Sequence, residues 1–320
     1  MVKKRSLLRR IGFVLIILII VSFSVFPFVQ MLSTSLKYQW DWGNPSLIPT
    51  QINLEAYKEL LNIGQDEKNL PESIKMLLDE SPELTKAQKK AIIDKYKDTG
   101  SVFPFMTFLR NSMGFALTAS FISLIIAILG AYSFSRLAYP GRAVMQRGVL
   151  FVYMLGGVVL LIPLYKLFVN MGMLVTESGT FASLIIIYMV QTLPVSLYML
   201  GNYFRTIPFS IEEAAMIEGA SRFSTIWRII VPLSFSAIVT VFVYSFMIAW
   251  NEYLFASVFL RGWDSLQTLP IGLRQLFLSK NAIWDRIMAA SMLTAIPVIA
   301  MFMLIQKNLV GGLSEGGVKE

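Results

Sequence analysis

The residues whose spacing asks for a task stand between 207 and 233, in the polar hairpin IPFSIEEAAMIEGASRFSTIWRIIVPL set among long apolar runs. Ser210 followed three residues later by Glu213 reads as a capping box, hydroxyl and carboxylate each satisfying a free backbone N–H at a helix start. That helix runs through Ala214, Ala215, Met216 and Ile217, past Glu218, to Gly219, which tolerates the left-handed backbone that ends a helix. A second helix is expected from Ser221 through Trp227 to Pro232. The chemistry on offer is recognition and not bond-making. A carboxylate in the first turn of a docked helix can pair with a base on another protein, and a glycine elbow lets that protein come close.

The chain contains no cysteine and no histidine, which removes disulfides, thiol chemistry, zinc sites and histidine acid–base catalysis. No glycine–lysine phosphate loop occurs, so ATP is not bound by that route. No metal site or catalytic group is expected. Elsewhere the polar residues are few. Trp250-Asn251-Glu252 closes an apolar run, and a carboxylate there must face the helix bundle, water or the interface. Glu252 and Asn251 either order an interhelix network or line a solute path. Gln191 and Tyr198, with Thr192 and Ser196 around Pro194, offer a similar mixture in another run, with the same two readings.

These residues need a membrane to position them. Of 320 residues 55% are hydrophobic and 15% charged, and the mean hydropathy is +0.63, outside the soluble globular range. Six stretches approach the roughly 20 residues a membrane helix needs: 11–33, 112–136, 147–169, 180–203, 233–256 and 286–306. The expected fold is an all-α membrane protein with six transmembrane helices. The net charge of +8 belongs to membrane topology and calls for no nucleic acid: Lys3, Lys4, Arg5, Arg9 and Arg10 directly precede the first run, the positive-inside signal. That run is as long as a full span and no small-residue cleavage site follows it, so it reads as an uncleaved helix. Six crossings then put both termini inside. Arg136, Arg142 and Arg147 in one connection, and Arg205, Arg222 and Arg228 around the hairpin, make both connections cytoplasmic. Pro163, Pro194 and Pro297 are expected to interrupt spans.

The domain plan is therefore a cytoplasmic N-terminus and first span (1–33), an extracytoplasmic helical segment (34–111), a five-span core (112–306) and a cytoplasmic tail (307–320). In the outer segment Asn53 and Thr85 are expected helix caps and Pro71 a first helical residue. Its acidic and basic side chains nearly balance, so it reads as a small helical cap above the membrane.

The run Glu213-Ala214-Ala215, with Gly219 four residues on and Pro232-Leu233 beyond, resembles the "EAA" loop of permease subunits of binding-protein-dependent ATP-binding-cassette importers. Glu218 stands where that family usually has aspartate. The likeness covers most of the chain from Phe105 onward and is nearest the carbohydrate branch, the maltose-type permease. Asn111-Ser112 opening the second span, Trp250-Asn251-Glu252 and Thr268-Leu269-Pro270 support that branch. The resemblance implies a cytoplasmic loop docked on the ATPase through Glu213, Ala214, Ala215, Glu218, Gly219 and Pro232. It also implies a glycine-rich tail with Gly311, Gly312, Glu315 and Gly316 reaching the ATPase, against the simpler reading of a flexible end. The implied partners are two ATPase subunits that bind the ATP and Mg, a second homologous permease, an extracytoplasmic solute-binding protein and the lipid bilayer. A bacterial-type cytoplasmic (inner) membrane is the implied location, and an oligosaccharide or related sugar the implied cargo. Another solute class for the same kind of importer is the alternative. A secondary transporter would need ionisable groups at mid-span, which these runs nearly lack. The stretch 64–100 looks expanded relative to the family.

Overall fold

A computed structural model of the chain describes residues 2–63, 85, 88, 103–154, 157–278 and 284–315. Among the described residues the regular structure is helical and no strand occurs. The chain divides into two compact units, Met1–Met106 with Gly272–Ile296, and Thr107–Ile271 with Pro297–Glu320.

In the first unit, α1 (Val2–Ser35) runs unbroken through Pro27, and none of its most apolar stretch is buried. Side chains such as Phe23, 82% exposed, make this a surface for lipid or protein and not for water. Polar bonds fasten the segment after it. Lys37, 1% exposed, donates to the carbonyls of Asn44 and Ser46 at 2.7 Å each. Asp41 accepts from Thr50 N–H (3.0 Å), Thr50 Oγ1 (3.1 Å) and Asn44 Nδ2 (3.0 Å). Asn53 Oδ1 accepts the Glu55 N–H at 2.9 Å and so caps α2 (Glu55–Leu60) from one position upstream of the usual site. Thr85 and Gln88 form a reciprocal capping pair, Thr85 N–H to Gln88 Oε1 at 3.0 Å and Gln88 N–H to Thr85 Oγ1 at 3.4 Å. Pro71 and nearly all of 64–100 lie outside the described residues.

The second unit holds α3 (Phe105–Arg136), α4 (Arg142–Met154), α5 (Gly157–Asn170), α6 (Glu177–Thr206), α7 (Phe209–Ile217), α8 (Arg222–Thr225), α9 (Val231–Leu233), α10 (Phe235–Asn251) and α11 (Leu254–Phe259). Both α12 (Leu269–Leu278) and α13 (Trp284–Glu315) begin in one unit and end in the other or beside it. Among the described residues four helices are long and apolar enough to cross a bilayer: α1 from Arg9, α3, α6 and α13 as far as Met303. The number rises to as many as six if each bent pair is one span: α4 with α5, at 97°, and the stretch Arg222–Leu233 with α10, at 86°.

Several expectations need correction. Pro163, Pro194 and Pro297 each lie inside a continuous helix. The sharp bends fall elsewhere, between Met154 and Gly157 and at Ser234. A Cβ on Gly157 would stand 3.3 Å from the Phe255 ring, a tight approach. The run 147–169 is two helices. Asn111 and Ser112 do not open α3, which starts at Phe105; they project from its second turn. Asn111 Nδ2 donates to the carbonyls of Ser265 (2.8 Å) and Gln267 (2.9 Å), and Ser112 Oγ accepts the Leu269 N–H at 2.8 Å. The pair thus holds the Thr268-Leu269-Pro270 loop, giving its backbone groups the partners that a sharp turn leaves free.

The described helices pack most extensively where α6 meets α10. Hydroxyls bridge the helices, Ser123 to Thr192 at 2.9 Å and Ser196 to Ser245 at 3.3 Å, as polar residues do where lipid offers no partner. One apolar core gathers Ala127, Ile128 and Ala131 of α3, Leu200 and Phe204 of α6, Ile226 and Ile230 of the hairpin and Ile238 and Val241 of α10. It sits at the root of the hairpin.

The hydrogen bonds to Asp41 have a pH consequence. Its carboxyl is held below the usual aspartate range, first by the Thr50 N–H and then by the Asn44 amide. A carboxyl whose pKa falls on folding adds stability above the ordinary value of about 4, and that stability is lost as pH falls through the lowered one. Thermal unfolding of the detergent-purified chain is expected to lose stability below about pH 4, and Asp41→Asn to flatten that dependence. An unchanged acid limb in the variant refutes this.

Candidate functional site

The hairpin forms, but its first helix is capped differently from the sequence reading. Helix α7 starts at Phe209, behind Pro208, and no side chain caps it. Ser210 is already inside the first turn, so Ser210 and Glu213 make no capping box. The carboxylate of Glu213 is left exposed and unused by its own helix. The far end closes as expected. Gly219 has φ +84°, its N–H reaches Met216 O at 3.0 Å, and the Ala220 N–H reaches Ala215 O at 2.9 Å, the paired bonds of a left-handed helix stop. A Cβ on Gly219 would touch nothing within 4 Å, so glycine is required here by backbone conformation and not by crowding within the chain. Ser221 then caps the second arm, its hydroxyl accepting the Ser224 N–H at 3.2 Å. That arm passes through a widened π turn, Ile226–Ile230, before α9. The widening falls where the Pro232 ring would otherwise press on the carbonyl four residues earlier, at Arg228.

The root of the hairpin carries charge. Glu212, with no exposed surface, lies 2.7 Å from Arg136 Nε through Oε1, a charge contact without an aligned hydrogen bond, and its Oε2 accepts from Tyr132 Oη at 2.9 Å. Arg136 Nη2 donates to the carbonyls of Phe204 and Ile207, 2.6 Å each, at the end of α6, where carbonyls have no helical partner. The same guanidinium lies over the Phe209 ring, 5.8 Å from its centre. One arginine therefore ties the end of α3 to the end of α6 and the start of α7, and its positive charge meets the negative end of a helix dipole. Arg136, counted in the sequence among the charges of a connection, has a side chain only 9% exposed. Glu212 was passed over for its neighbour. Glu212 stands three residues from Ala215, and that pair is what α7 buries, a choice the sequence alone does not mark.

Outward, Glu213, Ala214, Glu218, Gly219 and Pro232 are exposed, and Ala215 is buried at the root. Ile217 (87%) and Phe223 (65%) are exposed apolar side chains on either side of the elbow, the Phe223 ring edge-on to Trp227 at 6.1 Å. The tip is thus apolar and rimmed by the exposed charges of Glu213, Glu218, Arg222 and Arg228.

The other candidates are scattered. Glu252 follows the last residue of α10 and caps α11, Oε1 accepting the Phe255 N–H at 2.7 Å and Oε2 the Ala256 N–H at 2.9 Å. Asn251 turns back to the Met247 carbonyl at 2.8 Å. Gln191 and Glu252 line one cavity of about 330 Å³. Tyr198 lines another, of about 270 Å³, with Arg147, Asn202 and Arg205. At the C-terminal end, α13 continues to Glu315, so Gly311 and Gly312 are helical and not in a loose tail. Gly316 lies outside the described residues.

Residues 123–314 match the family described as the binding-protein-dependent transport system inner membrane component. The chain belongs to that family. It is 38% identical over 321 residues to the inner membrane ABC transporter permease protein YcjP of Escherichia coli (strain K12), with 100% of each chain covered. It is 31% identical over 318 residues to the maltose/maltodextrin transport system permease protein MalG of Yersinia pestis, covering 99% of this chain and 95% of that one. In fold it is similar to a chain in the crystal structure of a bacterial ABC transporter involved in the import of the acidic polysaccharide alginate. There the TM-score is 0.71 at 21% identity, covering 93% of this chain and 96% of the other. The chain is thus a multi-pass membrane permease component of an importer, not a catalytic subunit.

For such a permease the hairpin root is a structural necessity. Glu212→Ala leaves the buried Arg136 without its counter-charge, and about 3–5 kcal/mol of stability is expected to be lost. Replacing both partners by apolar residues, Arg136→Met with Glu212→Leu, is expected to recover part of it. Thermal unfolding and limited proteolysis at the hairpin check both. Equal stability of Glu212→Ala and the parent chain rejects the interaction.

Proposed function

We propose that the chain is the transmembrane permease subunit of an ATP-driven importer of oligosaccharides or related sugars, and that the 207–233 hairpin docks on the ATPase. The observation that carries the docking role is the exposed elbow around Gly219, fixed at its root by the Arg136–Glu212 pair. The curated relatives named for maltose and maltodextrin support the sugar class. On this reading the bent pairs count as spans, giving six crossings, with both termini, the hairpin and the end of α13 in the cytoplasm of a bacterial-type cell. The 34–111 segment lies outside. A pair of ATPase subunits supplies ATP and Mg chemistry, and a second permease and a solute-binding protein complete the assembly.

The mechanism is alternating access. ATP-driven closure of the ATPase dimer moves the docked hairpins together. Because the hairpin root shares one core with α3, α6 and α10, the hairpin does not swivel freely, and its displacement passes to those helices. ATP shifts the equilibrium only by the difference in its affinity for the two states, which the ATPase interface provides. Glu213 is free of its own helix, so it is available to a base on the ATPase, and Gly219 and Ile217 meet that subunit at close range. Gly311, Gly312 and Glu315 are assigned a second contact at the end of α13.

Two experiments test this reading. Glu213→Ala is expected to abolish assembly with the ATPase and transport while the chain still inserts, and Gly219→Asp to do the same, because φ +84° strains any side chain and the added carboxylate meets the partner. Normal assembly in Glu213→Ala removes the hairpin from this role. For topology, Ser221→Cys in this cysteine-free chain is expected to resist an impermeant thiol reagent in intact cells and react in inverted vesicles lacking the ATPase, with Lys89→Cys behaving oppositely. Reversed labelling at both positions overturns the arrangement.

A further inference from the structure

The cavity of about 330 Å³ is lined from α4 and α5 by Tyr153 and Gly157, from α6 by Gln191, and from α10 and its end by Tyr244 and Glu252, with Phe255 of α11 beside them. Its position among apolar helices makes the polar atoms conspicuous. The Gln191 amide, half-buried at the cavity wall, has no hydrogen-bond partner among the described residues and is open to bond to what enters the cavity. Glu252 forms no ion pair among the described residues. Its two oxygens each accept one backbone N–H of α11 and the Tyr188 phenol lies against the carboxylate, which fixes its orientation yet leaves a lone pair toward the cavity. Capping a helix does not need a charge, since asparagine or serine does it equally well. A carboxylate kept in the membrane part asks for a second task.

The set is one fixed acceptor, one amide that both donates and accepts, two phenol groups and an aromatic ring, around a space at the small end of ligand pockets. A sugar ring presents the matching chemistry: hydroxyls that donate to a carboxylate, bridge to an amide and exchange with phenols, and an apolar C–H face that lies against an aromatic ring. We infer that this chain itself contacts the passing solute, Gln191 and Glu252 bonding the hydroxyls of one sugar unit while Tyr153 and Tyr244 border it. This rests on the reading of the chain as a sugar importer. It adds that the solute is selected in part here, and not solely by the binding protein or the second permease. Tyr198 and Asn251 take no part, since one lines the other cavity and the other is bonded to its own helix.

The test uses the complete importer, with its partner chains and binding protein, in proteoliposomes. ATP-driven uptake is measured for radiolabelled glucose-, galactose-, mannose- and uronate-containing disaccharides to tetrasaccharides, and for monodeoxy analogues of whichever is transported. In Gln191→Cys, in this cysteine-free chain, labelling by a small methanethiosulfonate is expected to slow at least tenfold with the transported sugar and not with an untransported one. Asn202→Cys, in the other cavity, is expected to show no protection. In Gln191→Leu the uptake ratio of the sugar to one of its deoxy analogues is expected to narrow about tenfold, because a site built for a hydroxyl no longer senses its loss. Tyr153→Cys repeats the protection measurement if position 191 does not tolerate change. Uptake of a sugar that protects neither position overturns this site and leaves sugar import standing. Uptake of none of the sugars overturns the import reading and this site with it.

Discussion

A carboxylate without solvent must be neutralised where it stands, and Glu212 sets that demand on the hairpin end of the molecule. Arg136 answers it, and in answering it also satisfies the last carbonyls of α6, whose own helix cannot. The two requirements are met by one guanidinium because it is planar and forked, with donors in fixed directions. A lysine in its place would supply a charge but not this geometry. The ends of α3 and α6 and the start of α7 therefore hold one arrangement, and the apolar core around Phe204 and Ile230 excludes water from it.

From that fixed root the hairpin projects as a stiff object. The left-handed stop at Gly219, the Ser221 cap and the π turn before Pro232 are local solutions to local backbone constraints, and together they set the angle between the two arms. The outer face is left largely exposed, Ile217 and Phe223 included. Stiffness at the root and exposure at the tip are what a part needs if force is to enter at one end and helices are to move at the other. A flexible tip would absorb the displacement.

Within the helical part, polarity is rationed. Most hydroxyls bond across helices or to a carbonyl one turn back, as Ser123, Thr192, Ser196 and Ser245 do. Asn111 and Ser112 hold a loop. Gln191 and Glu252 stand apart from this economy, one without a partner among the described residues and the other with acceptor capacity to spare. Their convergence on one cavity is a property of helix packing, since they come from different helices.

The sequence by itself determined the membrane class, the helical character and the hairpin, because hydrophobic run length and the Gly219 and Ser221 signals are local and act through the backbone. It also carried the family, through residues of the hairpin that mostly face outward. Tertiary structure alone decided which of two adjacent glutamates is buried. Helix periodicity places Glu212 and Glu213 about 100° apart, but which face turns inward depends on where Arg136 lies, 76 positions earlier in the chain (212 − 136 = 76). The bends likewise escaped local reading. Prolines were expected to mark them, yet α6 continues through Pro194 as one helix, and the chain turns instead between Met154 and Gly157 and at Ser234. Contacts between segments far apart in sequence set those positions, and no window of sequence contains them.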